Sequence, residues 1–425
     1  MKTSINSIEQ LKCLTFDKIF EDPLWNIGTS KELNMHKIHL YPAKFPALVA
    51  QNALKYVLAN KPDSTVIGDI FCGCGTVALE SKVNGIDFWG SDINPVATLI
   101  SYSKTVDISI HEYSKRLKKI ITIYSLNSFE CSKYNDRLLY WYDKETYDKL
   151  FNLLQSIRIV NKNGKYRKVF YMIFSGILKK TSRWLNSSIK PQIDPSKQKV
   201  DPLIAFKNQS EKYLKSIDEI QKSNHLKTST RIKNINILRV KKNNFLDAII
   251  TSPPYVTSYE YADLHQLSSL WLEYTDDYTL LRKDSIGSLY HLEINDYVNE
   301  LTSLAHEIVD NLSFDNRKQQ LVARYYYDMK KVVSRCWEML KENGYVIFVI
   351  GDTEYKNVKI KNAEVLAESM IQFGFEIVEI SKRKINGKFL PSHRDVNGKF
   401  TSEINNSRQI YSQEYIIIGK KLVRL

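Results

Sequence analysis

Short apolar runs that alternate with helix-like stretches constrain this chain more than any other feature. Near the start, "STVIGDIF" (residues 64–71) is apolar and bounded by turn residues, "TVALESKVNG" (76–85) is helical with a glycine stop, and "DFWGSDI" (87–93) is strand-like again. The pattern returns later as strand "DAIITS" (247–252), helix "YDMKKVVSRCWEMLKENG" (327–344), strand "YVIFVIGD" (345–352), helix "AEVLAESMIQFG" (363–374), strand "FEIVEISKR" (375–383) and strand "EYIIIGKK" (414–421). Such alternation predicts an α/β fold, a mainly parallel, doubly wound sheet with helices on both faces.

The alternation is interrupted. Residues 111–240 hold 27 Lys and Arg against 11 Asp and Glu, enough to account for the whole formal charge of +14. Helix-like pieces such as "ETYDKLFNLLQSIRIV" (145–160) fill this stretch, and the prolines of "SSIKPQIDPSKQKVDP" (187–202) mark a loop in it. The division expected is therefore 1–105 and 241–425 as two parts of one α/β domain, with 106–240 a largely helical basic insert. A basic block is commonly just a solvated face. This one also carries Tyr140, Trp141, Tyr142, Tyr147, Tyr166, Phe170, Tyr171 and Trp184, so its cations could track phosphates while its aromatics stack on bases.

Other function classes recede. No run approaches the roughly 18 uninterrupted apolar residues of a membrane span. The opening "MKTSINSIEQLKCL" lacks the basic, apolar and small-residue order of a secretory signal, so the expectation is a cytoplasmic protein without a membrane partner. Five cysteines, an odd number without regular spacing, suit reduced thiols. His36, His39 and His265 show no ligand spacing with nearby acids or cysteines, and no metal is expected.

The loop "GDIFCGCGT" (68–76) follows a strand and opens a helix, the context a glycine-rich nucleotide loop requires. Gly73 and Gly75 are expected to let the backbone turn tightly and approach a ligand without a Cβ in the way. Asp92, at the end of the next strand, can accept both hydroxyls of a ribose. The loop has no basic residue and no phosphate-binding lysine motif, so a nucleoside without phosphates suits it better than a nucleotide.

In combination these stretches resemble a known family. "DIFCGCGT" (69–76) with "SDINP" (91–95) resembles the S-adenosylmethionine loop and ribose acid of amino-methyltransferases that act on DNA. "TSPPY" (251–255) resembles their catalytic motif, and "HKIHLYPAKFP" (36–46) resembles the segment completing the cofactor's methionine pocket. The resemblance covers about 36–105 and 245–425 and leaves the basic block outside. It implies a Rossmann-like methyltransferase sheet, mainly parallel with an antiparallel strand near the C-terminus. It also implies S-adenosylmethionine as cofactor, bordered by Asp69, Phe71, Gly73, Gly75 and Thr76, with Asp92 and Asn94 at the ribose and Lys44 and Phe45 near the methionine end. The basic insert occupies the place of a target-recognition region for duplex DNA.

The chemistry explains the prolines. An exocyclic amino group is a poor nucleophile because its lone pair is delocalised into the ring. Acceptors that draw the nitrogen toward tetrahedral geometry would activate it: the Ser252 hydroxyl and the Pro253 carbonyl, with Pro253 and Pro254 stiffening the backbone that aims them. Tyr255 would stack on a base flipped out of the duplex. In this family a leading serine resembles enzymes that methylate N4 of cytosine, and N6 of adenine is the alternative. The modification arm of a restriction system, with a separately acting endonuclease, is the setting implied. An RNA or protein-glutamine methyltransferase and a non-enzymatic DNA-binding module are the competing readings.

Overall fold

The computed structural model describes residues 4–26, 31–223, 227–256, 261–291, 297–385, 393–394, 400–401, 408–409 and 413–422. Its centre is a seven-stranded sheet in the order β3-β2-β1-β4-β5-β12-β8. The strands are β1 (Val66–Asp69), β2 (Asp87–Asp92), β3 (Thr230–Asn234), β4 (Leu246–Thr251), β5 (Leu340–Ile350), β8 (Phe375–Lys384) and β12 (Gln413–Lys421). Between them lie a small hairpin, β6 (Thr353–Tyr355) and β7 (Val358–Ile360), and three two-residue strands, β9 (His393–Arg394), β10 (Phe400–Thr401) and β11 (Arg408–Gln409). Strands β3, β2, β1, β4 and β5 pair in parallel. β12 runs antiparallel to both its neighbours.

Helices cover both faces. β4 is buried along its whole length, so its side chains serve two cores in turn: Ala248 and Ile250 on one face, Leu246 and Ile249 on the other. The first face packs against α2 (Ala47–Asn60) and α3 (Thr76–Val83), and the second against α13 (Asn316–Met339) and α14 (Asn362–Gln372). Between the sheet's two ends, order reverses at β1 and β4, each continuing outward in its own direction. An open α/β sheet forms its ligand crevice outside the carboxyl ends of the strands at such a point. The opposite edge is clamped by Asp247, whose carboxylate accepts from the Thr65 and Val66 amides at 2.9 and 3.0 Å and from Lys341 at 2.9 Å.

The insert is helical, as its sequence suggests: α5 (Ile110–Leu126), α6 (Asp136–Trp141), α7 (Lys144–Val160), α8 (Gly164–Thr181) and α9 (Pro202–Ser223) share a third core with α4 (Pro95–Thr105). Two expectations change. β3 lies within the 106–240 stretch yet belongs to the sheet, paired in parallel with β2; its TRIKN sequence puts charge on exposed positions of an edge strand, which hides the strand from an apolar-run search. The aromatics of the insert are also core, not a stacking surface. Trp141 and Trp184 stack at 4.9 Å and Tyr113 and Phe170 at 4.8 Å, all buried, whereas Tyr140 is the one exposed member of the aromatic set proposed for bases. The block's surface is therefore its cations.

This third core also takes in the segment that follows the catalytic motif. Trp271, at the end of α11 (Gln266–Trp271), lies among Tyr142, Tyr147 and Phe174. Gln266 accepts from Arg137 Nε at 2.8 Å and from the Trp141 indole at 3.1 Å. Trp271→Ala removes a side chain only 3% exposed and is expected to cost about 3–5 kcal/mol, read as a lowered midpoint in urea denaturation.

Candidate active site at the switch point of the sheet

The sheet brings the two principal motifs side by side. β1 pairs with β4 through Ile67 opposite Ala248 and Gly68 opposite Ile249, so the glycine-rich loop and Ser252–Tyr255 leave neighbouring strands at one edge. A side-chain bond links them there: the Thr251 hydroxyl donates to Asp69 Oδ1 at 2.7 Å, and the Phe71 amide donates to the same oxygen at 3.1 Å. Asp69 is 3% exposed, and burial pushes its carboxyl up to about 7.

Asp92, at the end of β2, accepts from the Gly73 amide at 2.9 Å and from the Asn94 amide at 2.8 Å. Burial raises it to about 6. Neither Asp69 nor Asp92 forms an ion pair among the described residues. One strand edge thus carries two desolvated carboxylates without a cation, a donor set that suits hydroxyl donors and a positively charged ligand.

The two glycines of the loop do different things. Both have left-handed backbones, with φ of +46° at Gly73 and +76° at Gly75. A Cβ on Gly75 would lie 2.3 Å from Ser101 Oγ and 2.8 Å from Ser101 Cα, so its bareness serves the packing of α3 on α4. A Cβ on Gly73 would meet Tyr41 at 3.5 Å, an ordinary contact.

Several other expected site residues have structural partners. Asn94 caps α4, accepting from the Val96 and Ala97 amides at 2.9 and 3.4 Å. Thr76 is the first residue of α3 and is buried, its hydroxyl without a hydrogen-bond partner among the described residues. Phe71 packs partly buried on the sheet core, and Phe45 does the same beside α2. Lys44 pairs with Glu32 at 3.0 Å and reaches the His36 carbonyl at 3.4 Å, so its charge is already balanced.

Tyr41 covers Gly73 and stacks at 4.9 Å on His265, whose imidazole burial pushes down to about 3. The upstream segment therefore lies over the loop. The histidines serve packing: His36 contacts Glu80 at 2.6 Å and His39 contacts Ser175 at 2.9 Å.

Around the Ser-Pro-Pro-Tyr turn the structure adds contacts from residues distant in the chain. Tyr325 of α13 donates its hydroxyl to the Pro254 carbonyl at 2.9 Å, tying the turn to the helix behind it. The Tyr255 ring lies over Gly351 at the end of β5, where a Cβ would come within 3.1 Å of it. Its hydroxyl donates to Glu414 at 2.5 Å. Among the described residues, neither the Ser252 hydroxyl nor the Pro253 carbonyl has a hydrogen-bond partner. Asp352 is a cap: it accepts from the Ala363 amide of α14 at 3.0 Å, and burial raises it to about 6. Residues 257–260 and 292–296, within the segment 257–325 that could add substrate contacts, lie outside the described residues.

Gly75→Ala should destabilise by about 2–4 kcal/mol, from the left-handed backbone and the overlap with Ser101 together. Gly73→Ala should cost about 1–2 kcal/mol from the backbone alone. Chemical denaturation of the two variants measures both. The raised carboxyl of Asp69 means the folded chain binds that proton more tightly than the unfolded chain, so its ionisation opposes folding increasingly from about pH 4 to about 7. Asp69→Asn should accordingly gain in melting temperature relative to the parent as pH rises across that window. A difference independent of pH would contradict the assignment.

No family model matches the chain. Over 431 aligned residues it is 24% identical to the Type II methyltransferase M.MvaI of Kocuria varians, covering 93% of this chain and 92% of that protein. It is 24% identical over 293 residues to the Type II methyltransferase M.BsoBI of Geobacillus stearothermophilus, covering 60% of this chain and 55% of that one. Over 165 residues it is 28% identical to the Type II methyltransferase M.AvaI of Nostoc sp., 34% of each chain. Among solved structures, a SAM-dependent methyltransferase from Methanosarcina mazei aligns over 91% of this chain and 100% of its own at 10% identity and a TM-score of 0.31. The rRNA methyltransferase aviRa from Streptomyces viridochromogenes aligns over 92% and 90% at 8% identity and a TM-score of 0.27. The similarity to the Type II methyltransferase M.MvaI thus runs along nearly the full length of both proteins.

Proposed function

We propose that the chain is a site-specific DNA methyltransferase that transfers a methyl group to the exocyclic N4 amino group of cytosine, protecting DNA in a restriction-modification system. The observation that carries this reading is the Thr251–Asp69 hydrogen bond, which seats the Ser-Pro-Pro-Tyr turn directly beside the glycine-rich loop. The similarity to Type II methyltransferases supports DNA as substrate. So does the excess of cations on the insert, most of whose aromatics are withdrawn into a core.

S-adenosylmethionine supplies an electrophilic methyl on a cationic sulfur. The residues present fit it: Asp92 would hold the ribose hydroxyls, and the pair of buried carboxylates favours a cation nearby. Gly73 lets the loop backbone come close, with Tyr41 and the Lys44–Glu32 pair on the methionine side. The Ser252 hydroxyl and Pro253 carbonyl, unengaged by other described residues, would accept from the substrate amino group and localise its lone pair. The Tyr255 phenol stays protonated because burial and then Glu414 raise it, so its ring can stack on the flipped base without carrying charge. The serine at 252 supports cytosine over adenine.

The test is to incubate the protein with unmethylated genomic DNA and labelled S-adenosylmethionine, digest to nucleosides and identify the labelled one by mass spectrometry. N4-methylcytosine is expected. N6-methyladenine would overturn the base assignment, and label confined to added RNA or protein would overturn DNA as the substrate. Ser252→Ala should retain cofactor binding while lowering transfer about 100-fold, the scale of one lost transition-state hydrogen bond.

A further inference from the structure

Glu414 begins the antiparallel strand β12, and its direct cross-strand partner on β8 is Arg383. Reversal of that strand places its start, rather than its end, at the edge where β4 and β5 finish. Arg383 is 1% exposed, unusual for a guanidinium, and donates from Nε to Glu414 Oε2 at 2.7 Å, with a second contact from Nη2. The other oxygen of Glu414 accepts the Tyr255 hydroxyl at 2.5 Å. The carboxylate is thus fixed on one side by a buried cation and fixes the phenol on the other, while Gly351 supplies a floor under the ring.

Burying an arginine and a glutamate is costly, and an apolar pair of similar volume on adjacent strands would often be at least as stable. The pair is therefore poorly explained by stability. It is well explained by orientation, because a charge-assisted hydrogen bond at the hydroxyl adds a directional restraint to the packing of the ring.

We infer that Glu414 and Arg383 are positioning residues that hold the Tyr255 ring in one orientation for the flipped base. This rests on the proposed function, in which Tyr255 is the stacking residue. Arg383 acts through Glu414, and Glu414 acts through the Tyr255 hydroxyl alone, so the three form a series rather than three independent contributions.

The test is a double-mutant cycle on kcat and KM, with unmethylated genomic DNA and labelled S-adenosylmethionine as substrates. Tyr255→Phe keeps the ring and loses the hydroxyl; Glu414→Gln keeps the shape and loses the charge. Each should lower kcat about tenfold with KM for S-adenosylmethionine unchanged, as expected for one lost hydrogen bond to a charged group. The double variant should be no slower than the slower single one. Multiplicative losses would show that Glu414 acts independently of the tyrosine, and wild-type rates in both single variants would show that the ring needs no such restraint; either result overturns the inference. A parent protein that binds S-adenosylmethionine and leaves DNA unlabelled would overturn the proposed function and this inference with it.

Discussion

The Thr251–Asp69 hydrogen bond joins residues 182 positions apart in the chain, and the rest of the site is arranged around it. A carboxylate at the end of a central strand is a liability, since burial without compensation is costly. Here it is bonded on one oxygen by its own loop, through Phe71, and by the neighbouring strand, through Thr251. The same bonds that make its burial tolerable set the distance between the glycine-rich loop and the Ser-Pro-Pro-Tyr turn. Asp247 does a parallel job at the far edge, where it gathers β1, β4 and β5. The two aspartates thereby fix both ends of the β1–β4 pair, and a shift of register between these strands would break both.

Around that fixed pair the site is largely backbone, and the side chains mostly decide where the backbone goes. Tyr325 pins the Pro254 carbonyl, Asn94 starts α4, Asp352 starts α14, and Gly75 allows α3 and α4 to approach. Among the described residues the Ser252 hydroxyl and the Pro253 carbonyl are not engaged in this way, nor is the second oxygen of Asp69.

Much of this was legible in the residues. The strands leading into the motifs are short apolar runs, β4 buried along its whole length, so local signals and the final sheet agree. β3 was not legible, because a charged edge strand buries little and reads as part of the basic block. The helix over 327–344 ended earlier than its pattern suggested, at Met339, because Lys341, Glu342 and Asn343 continue into β5, where Lys341 meets Asp247. Tyr140 to Trp184 looked like a base-stacking set because aromatic content alone cannot tell a core from a surface. The cap that Asn94 makes and the contact of Gly75 with Ser101 were not legible either, because a cap and a helix contact use the same residues as a binding loop. Glu414 carried no signal at all, since its meaning comes from strand pairing.

The position of β12 has a consequence for how the molecule comes into being. This strand fills the gap between β5 and β8, yet it follows both in the chain. Until it has been synthesised, β5 presents an open edge along Val346–Ile350, all buried in the finished sheet, and β8 meets no other strand of the sheet, only isolated bridges to Ile5 and Glu21 of the N-terminal segment. The segment from β1 to β5 can assemble earlier on the ribosome, but Tyr255 meets Glu414 only when β12 slots in. Closure of the sheet and the Tyr255–Glu414 contact therefore arrive together, and the edge of β5 stays open until they do.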